Sequence, residues 1–577
     1  MPVKIRRPVP SDLEIAQEAE LLPITEVAGK ANIRDNELEP YGRYMAKVDY
    51  VQLLERLKDR PNGKLICVTA ITPTPLGEGK TVTSFTLGQG FAKLGKNIIN
   101  TSREPSKGPT FGIKGGATGG GYAQVLPMEN INLHFTGDIH AVETAHNLAA
   151  AALDASILHK NTHNIDPLNV TWPYCVDLNS RALRQVVLGL GGRANGYPRT
   201  AGFDITVATE TAAIHALASD LVDLRQRLSR AVVGYTYDAK PVTLEDLQVA
   251  GTMAVLIKDA IKPNLCQSTE GHPILVHAFP FANVAHGNNS VIADRVALKL
   301  ADYVVTENGF GSDCGFVKMM DVKCRQSGLK ADAAVIVATV RALKQHGGAF
   351  HFRPGMPYSA VKDAAETENL PALDKGCANL AAHINIVRQY GIPAVVAVNR
   401  FTSDTEKEIE LVKQKALEAG AVGVAVSEGW ANGGDGGVEL AKEVLKAVET
   451  PHDMNLLFPD DISIKEKIET IATRIYGADG VDYTPDANNR IDLFESLGFG
   501  KLTINMAKTH LSLSHDPALI GVPKGFRLPV REVRASVGAG FLYPICGNLS
   551  TMPGLPTHAA FMDVDVDLKT GLTKGLF

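Results

Sequence analysis

Between residues 74 and 81 the chain reads Thr-Pro-Leu-Gly-Glu-Gly-Lys-Thr, an order of residue types suited to phosphate. It departs from the G-x-x-x-x-G-K-[ST] pattern of phosphate-binding loops only at its first residue, where Thr74 stands in place of glycine. Gly77 and Gly79 let backbone N–H groups turn inward on phosphate oxygens, a following helix N-terminus adds a favourable dipole, and Lys80 neutralises charge on the β- and γ-phosphates. The Thr81 hydroxyl suits a Mg2+ ion held against the same phosphates. The flanks agree, because residues 65–71 read as a strand and residues 82–94 as a helix. ATP or GTP binding follows from this context. Where the phosphoryl group goes does not, since the loop also suits other small-metabolite ATPases and nucleotide-dependent switches.

Such a loop needs a sheet to hold it. Short β-branched runs at 65–71, 97–101, 273–279, 303–307, 333–339, 394–399 and 422–427 alternate with helical stretches such as 81–94, 290–301, 403–419 and 437–448. Apolar runs bounded by Gly or Pro and followed by amphipathic helices predict an α/β protein with a parallel sheet covered on both faces. We divide the chain into a nucleotide domain over 1–350, a second α/β domain over 351–450 and a smaller α+β domain over 451–577. A long irregular stretch over about 347–371 lies at the first boundary.

In an open parallel sheet, ligands bind beyond the carboxyl ends of the strands, so polar residues just past those ends carry most functional weight. After 97–101 comes Arg103-Glu104-Pro105-Ser106-Lys107-Gly108-Pro109, where a guanidinium fork suits a carboxylate or phosphate, or a surface ion pair. A second glycine-rich loop, 115–121, approaches a ligand by backbone or serves as a flexible lid. His286 lies in a loop after 273–279 and suits charge stabilisation or proton movement, or the satisfaction of buried backbone groups. His134, His140 and His146 fall six apart, a spacing that does not place them on one helix face as zinc ligands. Asp138 beside Gly137 reads as a helix N-cap. Phe401 and Trp430 follow two further strands, and rings at such ends sandwich a flat heterocycle or pack in the core.

Composition excludes several classes. The 577 residues exceed one ordinary core, and 45% hydrophobic with 21% charged residues is a globular balance. No apolar run approaches the ~20 residues of a membrane helix. A net charge of −5 with mixed signs gives no footprint for nucleic acid. The seven cysteines are too dispersed for a zinc knuckle or disulfide framework and read as buried free thiols. The N-terminus is basic but meets Pro-Ser-Asp-Leu-Glu rather than an apolar segment, so we expect a cytoplasmic protein.

From end to end the chain resembles the formate–tetrahydrofolate ligase family. The likeness is carried by Thr72-Pro-Thr-Pro-Leu-Gly-Glu-Gly-Lys-Thr81, Arg103-Glu-Pro-Ser, Phe111-Gly-Ile-Lys-Gly-Gly-Ala, Asn132-Leu-His-Phe-Thr-Gly-Asp-Ile-His and Thr551-Met-Pro-Gly-Leu-Pro. The resemblance implies that formate is activated by MgATP to formyl phosphate, which the N10 amine of tetrahydrofolate then attacks. It implies that Thr74, Pro75, Leu76, Gly77, Glu78, Gly79, Lys80 and Thr81 hold ATP, with Mg2+ at Thr81. It further implies that Arg103 binds formate and formyl phosphate, that Phe401 and Trp430 clamp the pterin, and that His286 lies near the reacting groups. Glu104 and Asp138 would adjoin a monovalent cation, K+ or NH4+. A homotetramer with a single activity is implied, with formate and tetrahydrofolate as its small-molecule partners. The 350–366 stretch looks longer than the family's usual connection.

Overall fold

The computed structural model describes residues 4–112, 118–352, 355–547 and 550–576. Residues 115–117 of the second glycine loop, most of Phe111-Gly-Ile-Lys-Gly-Gly-Ala and two residues of the 350–366 stretch lie outside the described residues.

Seven strands form the parallel body of a twelve-stranded sheet: β1 (Lys64–Ala70), β2 (Ile98–Ser102), β3 (Pro273–Val276), β4 (Tyr303–Glu307), β5 (Ala333–Ala338), β6 (Ala394–Asn399) and β7 (Gly423–Ser427). Their order is β3-β2-β4-β1-β5-β6-β7, each parallel to its neighbour. The α/β expectation holds, because β1, β5 and β6 are buried on both faces and so read as continuous apolar runs. The sheet is not wholly parallel. Beyond β3 it continues through antiparallel Asn264–Ser268, Ala46–Val48 and Leu38–Pro40, with Ala123–Leu126 also pairing antiparallel to Asn264–Ser268. Two of these strands have only three residues, too few for a period to register in the sequence. β6 and β7, which fall in the 351–450 segment, extend the same sheet as β1.

Alternate residues of β1 enter different cores, as a strand's two-residue period requires. Ile66 and Val68 meet Leu87 and Phe91 of helix α1 (Lys80–Lys93), together with Leu440 and Val444 of a later helix, Val438–Glu449. Leu65 and Cys67 join the opposite core, which includes Val296 of Val291–Leu300 and Leu380 and Ile384 of Leu370–Gln389. The latter helix begins inside the stretch expected to be irregular, with Asn369 as its cap, and a short helix at Lys362–Glu366 precedes it. After residue 450 come helices Ile464–Arg474 and Pro485–Ser496 and strands Glu532–Ser536 and Phe541–Ile545. All seven cysteines are free and buried. Among the described residues no helix is long and apolar enough to cross a membrane.

Under the strand ends lies a fully buried ion pair. Lys323 Nζ sits 2.6 Å from Asp294 Oδ2 and also donates to Asn289 Oδ1, while the Thr101 hydroxyl donates to Asp294 Oδ1. These groups anchor the loop carrying His286 to β2 and β4, since Thr306 donates to Asn289 as well. Removing one partner strands the other charge in the interior. Lys323→Met is therefore expected to cost about 3–5 kcal/mol in a urea unfolding titration, and a loss below about 1 kcal/mol would contradict this account.

Candidate functional site

The loop 74–81 joins the end of β1 to the start of α1, where Gly79 is the N-cap and offers no side-chain capping bond. Gly77 and Gly79 have φ of +73° and +70°, the left-handed region open to glycine. A Cβ at Gly79 would fall 2.2 Å from Asn399 Nδ2, and Asn399 donates across the sheet to the Glu78 carbonyl at 2.9 Å. Thr74 explains its own presence. Its amide and hydroxyl donate to Glu78 Oε1 at 2.7 and 3.0 Å, so a side chain here closes the loop on itself where glycine has none to give.

Lys80 Nζ lies 4.0 Å from Glu307 Oε1 at the end of β4. Arg103, past the end of β2, donates from Nη1 to the Pro280 carbonyl at 3.3 Å and has its Nη2 3.0 Å from where a Cβ on Gly309 would stand. Burial lowers the affinity of Arg103 for its proton, and the Glu307 charge opposes that. Because β4 lies between β2 and β1, Arg103, Glu307 and Lys80 follow one another along the sheet edge.

His286 is buried, with its Nε2–H donated to the Asn289 carbonyl at 2.8 Å. Its Nδ1 has no hydrogen-bond partner among the described residues. Burial first, then the charges of Lys323 and Arg103, push its pKa down to about 3. These surroundings favour the neutral imidazole, and the bond to Asn289 is the satisfaction of a buried backbone group that the sequence also offered.

Phe401 and Trp430 follow β6 and β7. The guanidinium carbon of Arg341 sits 3.7 Å from the Phe401 ring centroid, and its Nη2 donates to the Leu76 and Gly77 carbonyls at 2.7 and 3.1 Å. One guanidinium thus joins the Phe401 ring to the 74–81 loop. Trp430 lies in a short helix, Gly429–Asn432, rather than a loop, and is 45% exposed. The Asp12 carboxylate accepts the Gly121 amide at 2.6 Å and also bonds the Trp430 side chain. Gly121 has φ +56°, and a Cβ there would come 2.0 Å from the Trp430 carbonyl oxygen. Gly429 and Gly437 pack on Thr86, so the Trp430 segment leans on the same helix that opens the phosphate loop.

Glu104 and Asp138 stand apart from this edge, on the far side of Arg103. Asp138 is the first helical residue of Asp138–Leu158 and Gly137 is the N-cap, which corrects the capping role expected for Asp138. Its Oδ1 pairs with Lys47 Nζ at 2.7 Å and its Oδ2 accepts from Asn264 at 2.8 Å. Burial, then Asp138, raises the Glu104 carboxyl well above the usual range, and Lys47 and Lys107 oppose this. Glu104 Oε2 is buried without a hydrogen-bond partner among the described residues. His146 is a core residue stacked on Trp172 at 4.4 Å between centroids.

Glu307, Arg341 and Asp12 were not singled out from the sequence. Glu307 does leave a trace, as the carboxylate that closes the apolar run Tyr303-Val-Val-Thr, but its meaning depends on β4 lying beside β1.

A family model described as formate–tetrahydrofolate ligase matches residues 10–577. A protein of Desulforamulus reducens named formate–tetrahydrofolate ligase is 58% identical over 569 residues, covering 99% of this chain and 100% of that relative. One of the same name from Roseiflexus castenholzii is 54% identical over 566 residues, covering 98% and 100%.

The state of His286 is measurable. Its pKa in the fold lies below its ordinary value of 6.5, so its contribution to stability is complete above pH 6.5 and is lost as pH falls toward about 3. Imidazole nitrogen shifts should report a neutral ring protonated on Nε2 with no titration from pH 8 to about 5. A midpoint near the unperturbed pKa of about 6.5 would contradict the buried environment described.

Proposed function

We infer that this chain, which belongs to the formate–tetrahydrofolate ligase family, joins formate to tetrahydrofolate with ATP and yields 10-formyltetrahydrofolate, ADP and phosphate. The observation that supports a division of labour among its residues is the sequence of Arg103 past β2, Glu307 at the end of β4 and Lys80 at the start of α1, with Lys80 Nζ 4.0 Å from Glu307. Formate has no good leaving group at carbon, so a direct attack by an amine stalls. In the proposed route a formate oxygen attacks the γ-phosphorus of ATP and ADP departs, leaving formyl phosphate. The N10 amine then attacks the formyl carbon, phosphate leaves, and the amine proton is passed on with it.

Residues 74–81 would receive the triphosphate, their glycines and the uncapped N-terminus of α1 turning N–H groups to its oxygens. Lys80 would stabilise charge on the transferred group, and Arg103 would orient formate and then the mixed anhydride through its planar fork. Mg2+, held at the Thr81 hydroxyl, would neutralise charge developing between the β- and γ-phosphates. His286 would take part as a neutral acceptor through Nδ1. Phe401, backed on one face by Arg341, would offer its other face to the pterin, with Trp430 on the neighbouring strand end as the second ring. We place a monovalent cation, K+ or NH4+, at Glu104 Oε2, with Asp138 and its partner Lys47 behind it. The segments 1–350, 351–450 and 451–577 are proposed as the nucleotide, folate-contacting and C-terminal parts of one cytoplasmic homotetramer.

ADP release should require formate and rise further with tetrahydrofolate; turnover indifferent to both would overturn the ligase assignment for this chain. Lys80→Ala should lose about 3 kcal/mol of transition-state stabilisation, read as roughly a hundredfold fall in kcat/KM. Trp430→Ala should chiefly raise the KM for tetrahydrofolate. Loss of ATP affinity with folate handling intact would remove that ring from the pterin site.

A further inference from the structure

Strand β4 is the parallel neighbour of β1, with Glu307 in register with Val68. Its last residue therefore stands beside the root of the phosphate loop. The Glu307 side chain is nine-tenths buried, its Oε1 is 4.0 Å from Lys80 Nζ, and its Oε2 is buried with no hydrogen-bond partner among the described residues. Helix α1 runs back along β4, with the Phe91 and Tyr303 rings 5.1 Å apart at one end and Lys80 facing Glu307 at the other. Thr81 follows Lys80 directly.

A fixed carboxylate at this position is hard to understand as part of a simple anion pocket. It faces the space that a polyphosphate enters, and negative charges within a few ångströms repel by about 4 kcal/mol even at an effective dielectric near 20. As a counter-ion for Lys80 alone it is poorly built, since the 4.0 Å separation is long for a charge-assisted hydrogen bond and the second oxygen is left unsatisfied. A divalent cation between Glu307 and the phosphates removes both difficulties. Mg2+ keeps several waters and takes only one or two protein oxygens besides phosphate, so no cluster of acids is needed.

We propose that Glu307 is the carboxylate ligand of the divalent cation that accompanies the nucleotide, completing with the Thr81 hydroxyl a site that forms when phosphate oxygens arrive. The general precedent is the acid that closes the strand beside a phosphate-loop strand and shares the metal with the loop's Ser or Thr. This proposal rests on nucleotide binding at residues 74–81 and adds the residue that reads the metal.

The test uses the full chain with ADP and Mn2+ as the probe, free Mn2+ being counted by electron paramagnetic resonance and ADP binding being followed separately by calorimetry in EDTA. In the wild type, Mn2+ binding should depend on ADP. Glu307→Gln should weaken Mn2+ binding by about tenfold or more, as loss of a metal-supporting group does, while metal-free ADP binds as well as before or better because a negative charge has gone. Glu307→Asp, which keeps the carboxylate, should fall between the two. Mn2+ affinity within twofold of wild type in Glu307→Gln, or in Glu307→Ala where the Gln variant melts abnormally, with ADP still bound, would overturn the assignment of Glu307 and leave the nucleotide site standing. A wild type that binds no ADP would instead overturn the phosphate-loop reading on which the proposal rests.

Discussion

Adjacent strands lie about 4.8 Å apart, so the residues that close three neighbouring strands are held within roughly a nanometre whatever their separation in sequence. Arg103, Glu307 and Lys80 are more than 200 residues apart at the extremes, yet Arg103 follows β2, Glu307 closes the adjacent β4, and the 74–81 loop brings Lys80, at the start of α1, to 4.0 Å from Glu307. A carboxylate flanked by two cations in a partly dry cleft is sensitive to small displacements, because the local dielectric is low. The sheet supplies the required rigidity through strands that are buried on both faces, and the Lys323–Asp294 pair ties the neighbouring loop to it. The chemistry proposed for the cleft presupposes this alignment.

Much of the fold was legible because local and global signals coincide. Strands β4 and β6 have the bounds expected from their β-branched runs, and α1 follows the phosphate loop within a residue of the expected start. The antiparallel margin was not legible, because strands such as Leu38–Pro40 are too short to show a period and owe their pairing to neighbours far along the chain. The irregular stretch near 350 hid the start of Leu370–Gln389, where Pro371 in the first turn looks like a helix breaker but occupies a position that helices tolerate.

The candidate site divides in the same way. The loop 74–81 stands out in the sequence through its spacing, and Thr74 looks anomalous only until its bonds to Glu78 are seen. Arg341 and Asp12 carry no local signature, since an arginine near a helix start and an aspartate after a serine are common on any surface. Their importance comes from what the fold sets beside them: the Phe401 ring and loop carbonyls for one, Gly121 and Trp430 for the other. For His286 the surroundings favour the neutral ring: burial beside Lys323 and Arg103 lowers its pKa, and Nε2 bonds the Asn289 carbonyl, one of the readings its residue type leaves open.

Arg341 spans two surfaces that the proposed reaction uses at different moments. Its planar face lies on Phe401, and its edge holds the carbonyls of Leu76 and Gly77. With the ligands placed as proposed, a change at one side that moved Arg341 would alter the free energy of occupancy at the other, and linkage would make the effect reciprocal. Whatever factor a nucleotide conferred on the heterocycle through this one side chain, the heterocycle would return to the nucleotide.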